Sequence, residues 1–142
     1  MSGALERTEL PDACADAVMC LDAIQFASDI EAAATEIRRV VRPGGRTIVT
    51  CWEPADRAAG VLSERLQRVD LATQLTAAGL VDVSVTERAD WHAAERGFMA
   101  AAAACDPGED PALQSWHNEG TRVLPLFNQM RRVLATARAP LR

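Results

Sequence analysis

The chain has 142 residues, of which 49% are hydrophobic and 25% charged, and its net charge is −5. This balance is typical of a globular domain with a sizeable core, and the negative charge disfavours nucleic acid and anionic membranes as partners. No apolar run approaches the roughly 20 residues that span a bilayer, and the first seven residues lack the apolar stretch of a signal peptide. The expected location is therefore the cytoplasm.

Metal-binding side chains are few and scattered. The four cysteines, Cys14, Cys20, Cys51 and Cys105, show no C-x-x-C spacing, and there are only two histidines. Cysteines of this kind are typically reduced and mostly buried thiols. The sequence therefore predicts no metal site.

The first predicted strand is Ala15 to Leu21, which is continuously apolar from Ala17 onward. A short apolar run is typical of a strand that is buried on both faces of a parallel sheet. Ser28 and Glu31 follow at the spacing of a capping box, which predicts the start of a helix. Its apolar residues recur at helical spacing as one stripe: Ile30, Ala33, Ala34, Ile37, Val40 and Val41.

Pro43-Gly44-Gly45 is predicted to end this helix. Residues 46–51 follow as a second strand, because they are rich in β-branched side chains. The order strand, helix, strand favours a right-handed parallel crossover. A further helix is predicted at residues 70–78 with Gly79 as its left-handed cap, and residues 81–86 alternate as a more exposed strand.

The last third of the chain is predicted to be mainly helical. Residues 91–105 and 112–124 have helical character, and the turn-rich residues 106–111 separate them. Residues 132–137 are predicted to close the fold as a strand, with a helix as the alternative for this stretch.

Four segments in this order resemble the class I S-adenosylmethionine-dependent methyltransferases of the type 11 kind. Leu10 to Val18 resembles the loop and fourth strand of that family, and Glu36 to Arg46 resembles the link from the fourth helix to strand five. Residues 71–85 resemble the fifth helix and strand six, and residues 131–135 resemble the antiparallel strand seven. The resemblance implies an α/β fold: a partial Rossmann-like sheet of strands four to seven with helices on both faces.

The chain departs from the family pattern where the cofactor would bind. It contains no Gly-x-Gly-x-x-Gly turn, which in the family follows strand one, and no acidic residue for the ribose at the end of strand two. Both features would precede Met1, and where family members often carry Asp-Ala-Glu this chain has Ala4-Leu5-Glu6. We therefore expect residues 1–142 to form one partial methyltransferase-like domain that binds S-adenosylmethionine only when the missing half is supplied.

The resemblance implies a cofactor-binding stretch at the end of the first predicted strand. Cys20, Leu21, Asp22 and Ala23 lie there, and open α/β sheets bind ligands beyond the carboxyl ends of their strands. The alternative is that Leu21 belongs to the core and that Asp22 only starts a turn.

Substrate contacts are implied at two further places. Trp52 and Glu53 follow the second strand, in the loop that faces the acceptor in this family, and Trp91 and Trp116 lie within a possible helical lid at residues 91–124. The alternative is that the tryptophans are packing residues and that the Glu53 carboxylate is solvated.

His92 and His117 are the candidates for a catalytic base, because histidine titrates near neutral pH. Most lone histidines, however, are surface or packing residues. A sulfonium methyl group is already activated and needs little covalent help, so the sequence does not name the acceptor.

Three functions are compatible with these features. The first is a small-molecule methyltransferase half that a second chain completes. The second is a noncatalytic dimerisation or binding module, and the third is a cyclase-type enzyme derived from a methyltransferase. In each case Ala17 to Leu21 would be an apolar central strand left at an edge, so we expect a homodimer or a heterodimer through this strand.

Overall fold

The computed structural model describes residues 4–142. The helices and strands follow one another as β1 (Ala15–Leu21), α1 (Ile30–Val40), β2 (Val41–Pro54), α2 (Glu64–Gln67), α3 (Leu71–Ala77), β3 (Val81–Glu87), α4 (Ala89–Ala104), α5 (Pro111–Val123) and β4 (Met130–Arg138). Two 3₁₀ turns, Ile24–Phe26 and Leu124–Gln129, precede α1 and β4.

The four strands form one sheet in the order β1-β2-β4-β3. β1 runs parallel to β2, whereas β4 runs antiparallel to both β2 and β3. The predicted α/β class, the parallel crossover through α1 and the antiparallel last strand are therefore confirmed, and residues 132–137 form a strand. This order places β1 at an edge, and no strand among residues 4–142 pairs with its outer side.

The start of α1 differs from the predicted capping box. Asp29 is the N-cap, and its Oδ1 accepts the backbone N–H of Ala32 at 2.9 Å. The Ser28 hydroxyl donates to Oε1 of Glu6 at 2.7 Å instead. This bond, together with backbone N–H donors, lowers the pKa of Glu6 to about 2. The predicted capping box is wrong, because the hydroxyl of Ser28 is bonded to the carboxylate of Glu6, which comes from a distant segment of the chain.

β2 begins directly after α1, five residues earlier than predicted. Ala15 pairs with Val41 whereas Ala17 pairs with Arg46, so β2 carries extra residues opposite β1. The close approach requires Gly45, since a Cβ there would lie 2.8 Å from the carbonyl oxygen of Asp16. The Pro-Gly-Gly segment therefore forms a bulge within β2 and does not end the helix.

The main core lies between one face of the sheet and the layer formed by α1 and α3. Side chains on this face of β2 and β4 alternate with those on the other face. The buried core residues of the sheet and of these two helices are Cys20, Val41, Val49, Cys51, Val133, Ala135 and Ala137 from the strands and Ile30, Ala33, Ala34, Ile37, Leu71 and Leu75 from the helices.

A second, smaller cluster lies on the opposite face of the sheet, where α4 and α5 pack. Its buried members are Leu62, Phe127 and Met130. The two helices cross closely at Gly120, because a Cβ at this position would lie 2.6 Å from Cβ of Ala102. The predicted lid region 91–124 thus contains a tight helical hairpin.

β1 is not buried on both faces. Cys20 packs into the main core, but Met19 and Leu21, which alternate with it, are 65% and 53% exposed. The predicted burial of both faces was wrong because no element among residues 4–142 covers this part of the sheet. An apolar stripe therefore remains open beside an unpaired edge.

Two negative observations concern the described part of the chain. None of the helices in residues 4–142 is both long and apolar enough to cross a membrane. Within the same residues, no three side chains of the histidine, cysteine, aspartate or glutamate type come together as a metal site would require.

Candidate active site at the carboxyl ends of β1 and β2

The carboxyl end of β1 lies beside Thr50, near the carboxyl end of β2, because Leu21 pairs with Thr50 in the parallel register and β2 continues to Pro54. Asp22 follows β1 in the left-handed region, with a φ of 53°. Its Oδ1 accepts the Thr50 hydroxyl at 2.9 Å, and its N–H donates to the Thr50 carbonyl oxygen at 2.9 Å. These bonds hold the loop after β1 against the end of β2.

Arg132 of β4 clamps this loop to the helical hairpin. Its Nη2 donates to Oδ2 of Asp22 at 2.6 Å, and its Nε donates to Oε1 of Glu95 at 2.7 Å. The guanidinium also lies 5.3 Å from the ring centroid of Trp52, directly across the β2–β4 pair, and 5.9 Å from that of Trp91. The Arg132 side chain is only 6% exposed. The loop after β1, helix α4 and strand β4 therefore meet at one buried charged group.

Arg132 keeps its positive charge although its side chain is buried. Burial is the largest influence and lowers the pKa of the guanidinium, but the hydrogen bonds to Asp22 and Glu95 and the negative charges of these two residues together outweigh it and leave the pKa raised. Both partners are carboxylates, so the hydrogen bonds of this clamp are charge-assisted.

A cavity of about 280 Å³ opens beside this clamp, between the end of β2 and the helical hairpin. Trp52 and Phe127 form part of its wall, with ring centroids 5.2 Å apart in an edge-to-face arrangement. Glu95 and Met99 of α4 and Val123 of α5 contribute to the opposite wall. The cavity is thus mostly apolar with a few polar groups, as small-molecule sites are.

His92 supports an aromatic wall of the cavity without lining it. Its Nε2 lies 2.8 Å from the carbonyl oxygen of Phe127, which can only accept, so the ring carries its proton on Nε2. The imidazole packs edge-on to both Trp52 and Phe127, with centroids 5.6 Å and 5.4 Å away. In this arrangement His92 fixes the position of the two aromatic rings.

Glu53 lies on the other face of the sheet from Trp52. It is buried, its Oε1 accepts the backbone N–H of Leu71 at 2.8 Å, and its Oε2 accepts from Arg131 Nη2 at 2.7 Å. The carboxylate therefore anchors the first turn of α3 to the sheet, and no atom of Glu53 lines the cavity.

Three other candidates lie away from the cavity wall. Trp91 packs against Arg88, whose guanidinium is 4.0 Å from the ring centroid. Trp116 packs on Phe98 with centroids 5.0 Å apart. Nδ1 of His117 lies 3.2 Å from the Ala102 carbonyl oxygen and ties α5 to α4. Of the four predicted substrate contacts, only Trp52 lines the cavity.

Of the predicted cofactor stretch, three residues lie at the open end of β1 and the fourth lies in the core. Leu21 presents an exposed apolar side chain at the open strand end, and Asp22 and Ala23 form the adjacent loop. Cys20 faces the other way into the core, and burial raises the pKa of its thiol. The sequence contains no glycine-rich turn to cradle the opposite side of the ligand.

A second cavity, of about 510 Å³, follows the outer edge of β1. Leu5, Leu10 and Met19 line it, together with the buried residues Ile37 and Val40 of α1. Its outer wall is fixed in place, because Glu36 of α1 accepts both the N–H and the hydroxyl of Thr8, at 2.7 and 2.6 Å. A groove with a fixed outer wall therefore runs along the open edge of β1.

Arg132 and Phe127 were the residues that sequence reasoning missed. An arginine at the start of a predicted apolar strand, as in Arg132-Val133-Leu134-Ala135, is the signal that could have indicated a buried charge. Phe127 gave no such signal, since it lies in a 3₁₀ turn without apolar periodicity.

Comparisons with known proteins agree with this architecture. Residues 1–49 match the methyltransferase domain family Methyltransf_11. UbiE of Caulobacter sp. (strain K31), a ubiquinone/menaquinone biosynthesis C-methyltransferase, is 50% identical over 62 residues, which are 44% of this chain and 24% of the relative. The fold of a Haemonchus contortus phosphoethanolamine N-methyltransferase 2, solved with S-adenosyl-L-methionine, matches 96% of the chain with a TM-score of 0.69 at 19% identity.

The chain has the fold of the C-terminal half of a class I methyltransferase. The [4+2]-cyclase SpnF matches the whole chain with a TM-score of 0.69 at 23% identity. The chain spans about half of SpnF (56%), about a third of the Haemonchus enzyme (36%) and, over the matched region, a quarter of the Caulobacter relative. The resemblance to a partial methyltransferase domain is thus confirmed at the level of the fold, and the match to the family model covers residues 1–49.

Proposed function

We propose that this chain is the acceptor-binding half of an S-adenosylmethionine-dependent methyltransferase that acts on a small molecule. The single observation that carries the proposal is the apolar cavity beside the Asp22–Arg132 clamp, at the carboxyl ends of β1 and β2. Ligands of open α/β sheets bind at such strand ends. In this proposal the methyl donor and the acceptor bind at adjacent strand ends, and the clamp lies between their two sites.

When bound, S-adenosylmethionine supplies an activated methyl group, so the protein mainly has to align the acceptor and exclude water. In our proposal Leu21 and Asp22 form the wall of the cofactor site that this chain provides. Trp52 and Phe127 orient the acceptor, and the α4–α5 hairpin acts as the lid that keeps water away. This assignment rests on the walls of the cavity, to which both helices contribute.

We further propose that a second chain completes the cofactor site by pairing with β1. The support is the unpaired edge, the exposed Met19 and Leu21, and the groove of about 510 Å³ beside them. The partner that completes the site is a chain that carries the glycine-rich half; a second copy of this chain would cover the same edge of β1 but would bring no glycine-rich turn. We place the complex in the cytoplasm, because the four cysteines are unpaired thiols and the net charge disfavours nucleic acid and membranes.

A cyclase-type reaction is the second candidate. It is favoured by the likeness to the [4+2]-cyclase SpnF, which covers 100% of the chain. A cyclase requires the acceptor cavity but no methyl transfer, so it would use Trp52 and Phe127 and leave the cofactor unchanged.

The test is to co-express the chain with a polypeptide that carries the missing glycine-rich half, such as one encoded directly upstream, and to purify the complex. We expect the complex to convert S-adenosylmethionine to S-adenosylhomocysteine in the presence of a small-molecule acceptor panel, and neither half to do so alone. A stable complex that binds the cofactor but forms no S-adenosylhomocysteine would favour the cyclase. A complex that binds neither cofactor nor small molecules would point to a noncatalytic module.

A further inference from the structure

One charged residue in the lining of the cavity beside the clamp, Arg65, has no ion-pair partner in the described part of the chain. The charged residues that line this cavity of about 280 Å³ are Arg65, Glu95, Glu119 and Arg122. Glu95 pairs with Arg132 at 2.7 Å, and Glu119 pairs with Arg122 at 2.7 Å. The Arg65 guanidinium, in contrast, meets no carboxylate among residues 4–142 and contacts an aromatic ring instead.

That aromatic ring belongs to Phe26, which lines the same cavity. The central carbon of the Arg65 guanidinium lies 4.5 Å from the ring centroid of Phe26, which is the distance of a cation–π contact. Contact with the face of a ring satisfies none of the five N–H donors of an arginine. The contact therefore restrains the guanidinium and leaves its planar fork of donors, the geometry that suits a carboxylate, available to a ligand.

The cavity is apolar at its buried wall and cationic where it meets solvent. Leu62, Phe127 and Met130 are buried residues of the lining. Arg65 lines the cavity too but is exposed, so it lies on the solvent side. Leu62 and Leu66, on either side of Arg65 in the chain, both pack in the smaller core cluster. The segment that carries the arginine is therefore anchored to the apolar wall.

The distribution of charge favours an anionic ligand over a cationic one. Glu95 and Glu119 each lie against an arginine, so a cation that approached either acid would also approach a guanidinium. Arg65 has no acid of this kind beside it within residues 4–142. Because the net charge of the chain is −5, the overall field opposes anions, and a preference of the cavity for an anion would report a local cation.

We propose that the cavity binds a small amphipathic carboxylate, whose apolar body lies against Trp52 and Phe127 and whose carboxylate pairs with the Arg65 guanidinium. Arg65 is then a specificity-determining residue of the acceptor site. The inference rests on the proposed function for the role of the cavity, but the binding that it describes requires neither cofactor nor methyl transfer.

Phenylacetate, phenylacetamide and phenethylammonium test this inference, because they have similar shapes and differ in charge. We would titrate each into the full chain by ligand-observed NMR at low ionic strength. We expect phenylacetate to bind about three- to tenfold more tightly than phenylacetamide, the effect of one charge-assisted pair at an exposed position, and phenethylammonium to bind most weakly. Equal affinities for phenylacetate and phenylacetamide, a preference for phenethylammonium, or no binding of phenylacetate at millimolar concentration would overturn the proposal.

The variant Arg65→Gln removes the positive charge at an exposed position. We expect the affinity for phenylacetate to fall to that for phenylacetamide, while the affinity for the amide stays within about twofold. Arg68→Gln is the matched control, because Arg68 is exposed, follows the same short helix and does not line the cavity. It changes the net charge equally and should retain the preference. Retention of the preference in R65Q, or its loss in both variants, would contradict the proposal.

Salt gives a second readout on the wild-type chain, which decides the matter if R65Q does not fold. Dissolved ions screen an exposed ion pair, so the preference for phenylacetate should shrink as sodium chloride is raised towards molar concentration. A preference that salt leaves undiminished would contradict the pairing with Arg65. The phenylacetate preference without any S-adenosylhomocysteine formation in the completed enzyme would reject the proposed function and leave this inference standing. Equal probe affinities in a complex that does form S-adenosylhomocysteine would reject this inference and leave the proposed function standing.

Discussion

Arg132 donates to Asp22 across 2.6 Å, although the two residues lie 110 positions apart in the chain. The bond passes over β2 and joins the loop after β1 to β4. Because Arg132 also binds Glu95 of α4, one side chain sets the distance between the proposed cofactor wall and the proposed lid. The geometry of the candidate site therefore depends on the last strand of the fold.

Replacing this arginine should destabilise the protein. Arg132→Met keeps most of the aliphatic stem but leaves Asp22 and Glu95 without their shared partner. We expect the free energy of unfolding to fall by about 1–3 kcal/mol, as measured by urea denaturation. Arg42→Met is the control, since Arg42 and Asp16 form an exposed ion pair, and it should change stability by less than about 0.5 kcal/mol. Equal losses in the two variants would show that Arg132 is no clamp.

Trp52 and Glu53 should have separable roles, because adjacent strand residues face opposite sides of the sheet. Trp52→Leu should weaken phenylacetate and phenylacetamide binding together, since the indole forms part of the cavity wall. Glu53→Gln should leave that binding unchanged and lower the free energy of unfolding by about 1–2 kcal/mol, because it loses the charge-assisted bond from Arg131. Ligand titration and urea denaturation of both variants check this. Weakened binding in a fully stable E53Q protein would place the carboxylate in the site after all.

The order and type of the main elements could be predicted from the sequence because local signals agree with the tertiary contacts. The apolar stripe of α1, the left-handed Gly79 after α3 and the short apolar run of β1 all have the predicted form. Prediction failed where one local sequence signal is compatible with more than one structure. The glycines after α1 are typical of a helix cap and also of a bulge, and they form a bulge.

The site was predicted less well, because its contacts join distant parts of the chain. Ser28 could not be excluded as a cap without knowing that Glu6 lies beside it. The sequence placed Trp52 and Glu53 at a strand end, but only the length of β2, which runs to Pro54, shows that they still alternate within the strand. The pairing of Asp22 with Arg132 requires the strand order.

The N-terminal segment should loosen from α1 in acid. Hydrogen bonds from Arg39, and then from Thr8, lower the pKa of Glu36 from 4.5 to about 2. Because the folded pKa is the lower one, this carboxylate stabilises the fold fully above about pH 5, and the contribution is lost as the pH falls towards 2. Glu36→Gln should therefore cost about 1–3 kcal/mol at pH 7 and almost nothing at pH 2.

The measurement for Glu36 is urea denaturation of the wild type and the variant between pH 2 and 7. Glu9→Gln, at an exposed position of the same segment, serves as the control and should follow the wild-type curve. A constant difference between Glu36→Gln and wild type over the whole range would contradict the assigned pKa.

The open edge of β1 should drive assembly. We expect the chain to sediment as a dimer, or in complex with a second chain, at micromolar concentration, because Met19 and Leu21 are exposed beside an unpaired strand. Met19→Lys places a charge on this face and should weaken the assembly at least tenfold, as followed by analytical ultracentrifugation at several concentrations. Since Met19 is 65% exposed, the variant should keep the wild-type unfolding midpoint of the monomer. A wild-type chain that stays monomeric at high micromolar concentration would contradict this expectation.

In our proposal this chain supplies the acceptor side and only one wall of the cofactor site. Isothermal titration of S-adenosylmethionine into the purified chain tests it most directly. We predict no saturable binding in the micromolar range for the chain alone, because Leu21 and Asp22 provide contacts on one side of the ligand and the sequence has no glycine-rich turn for the other. A dissociation constant of about 1 μM or tighter, which corresponds to roughly 8 kcal/mol of binding free energy, would require a well-formed site within this chain and would contradict the account.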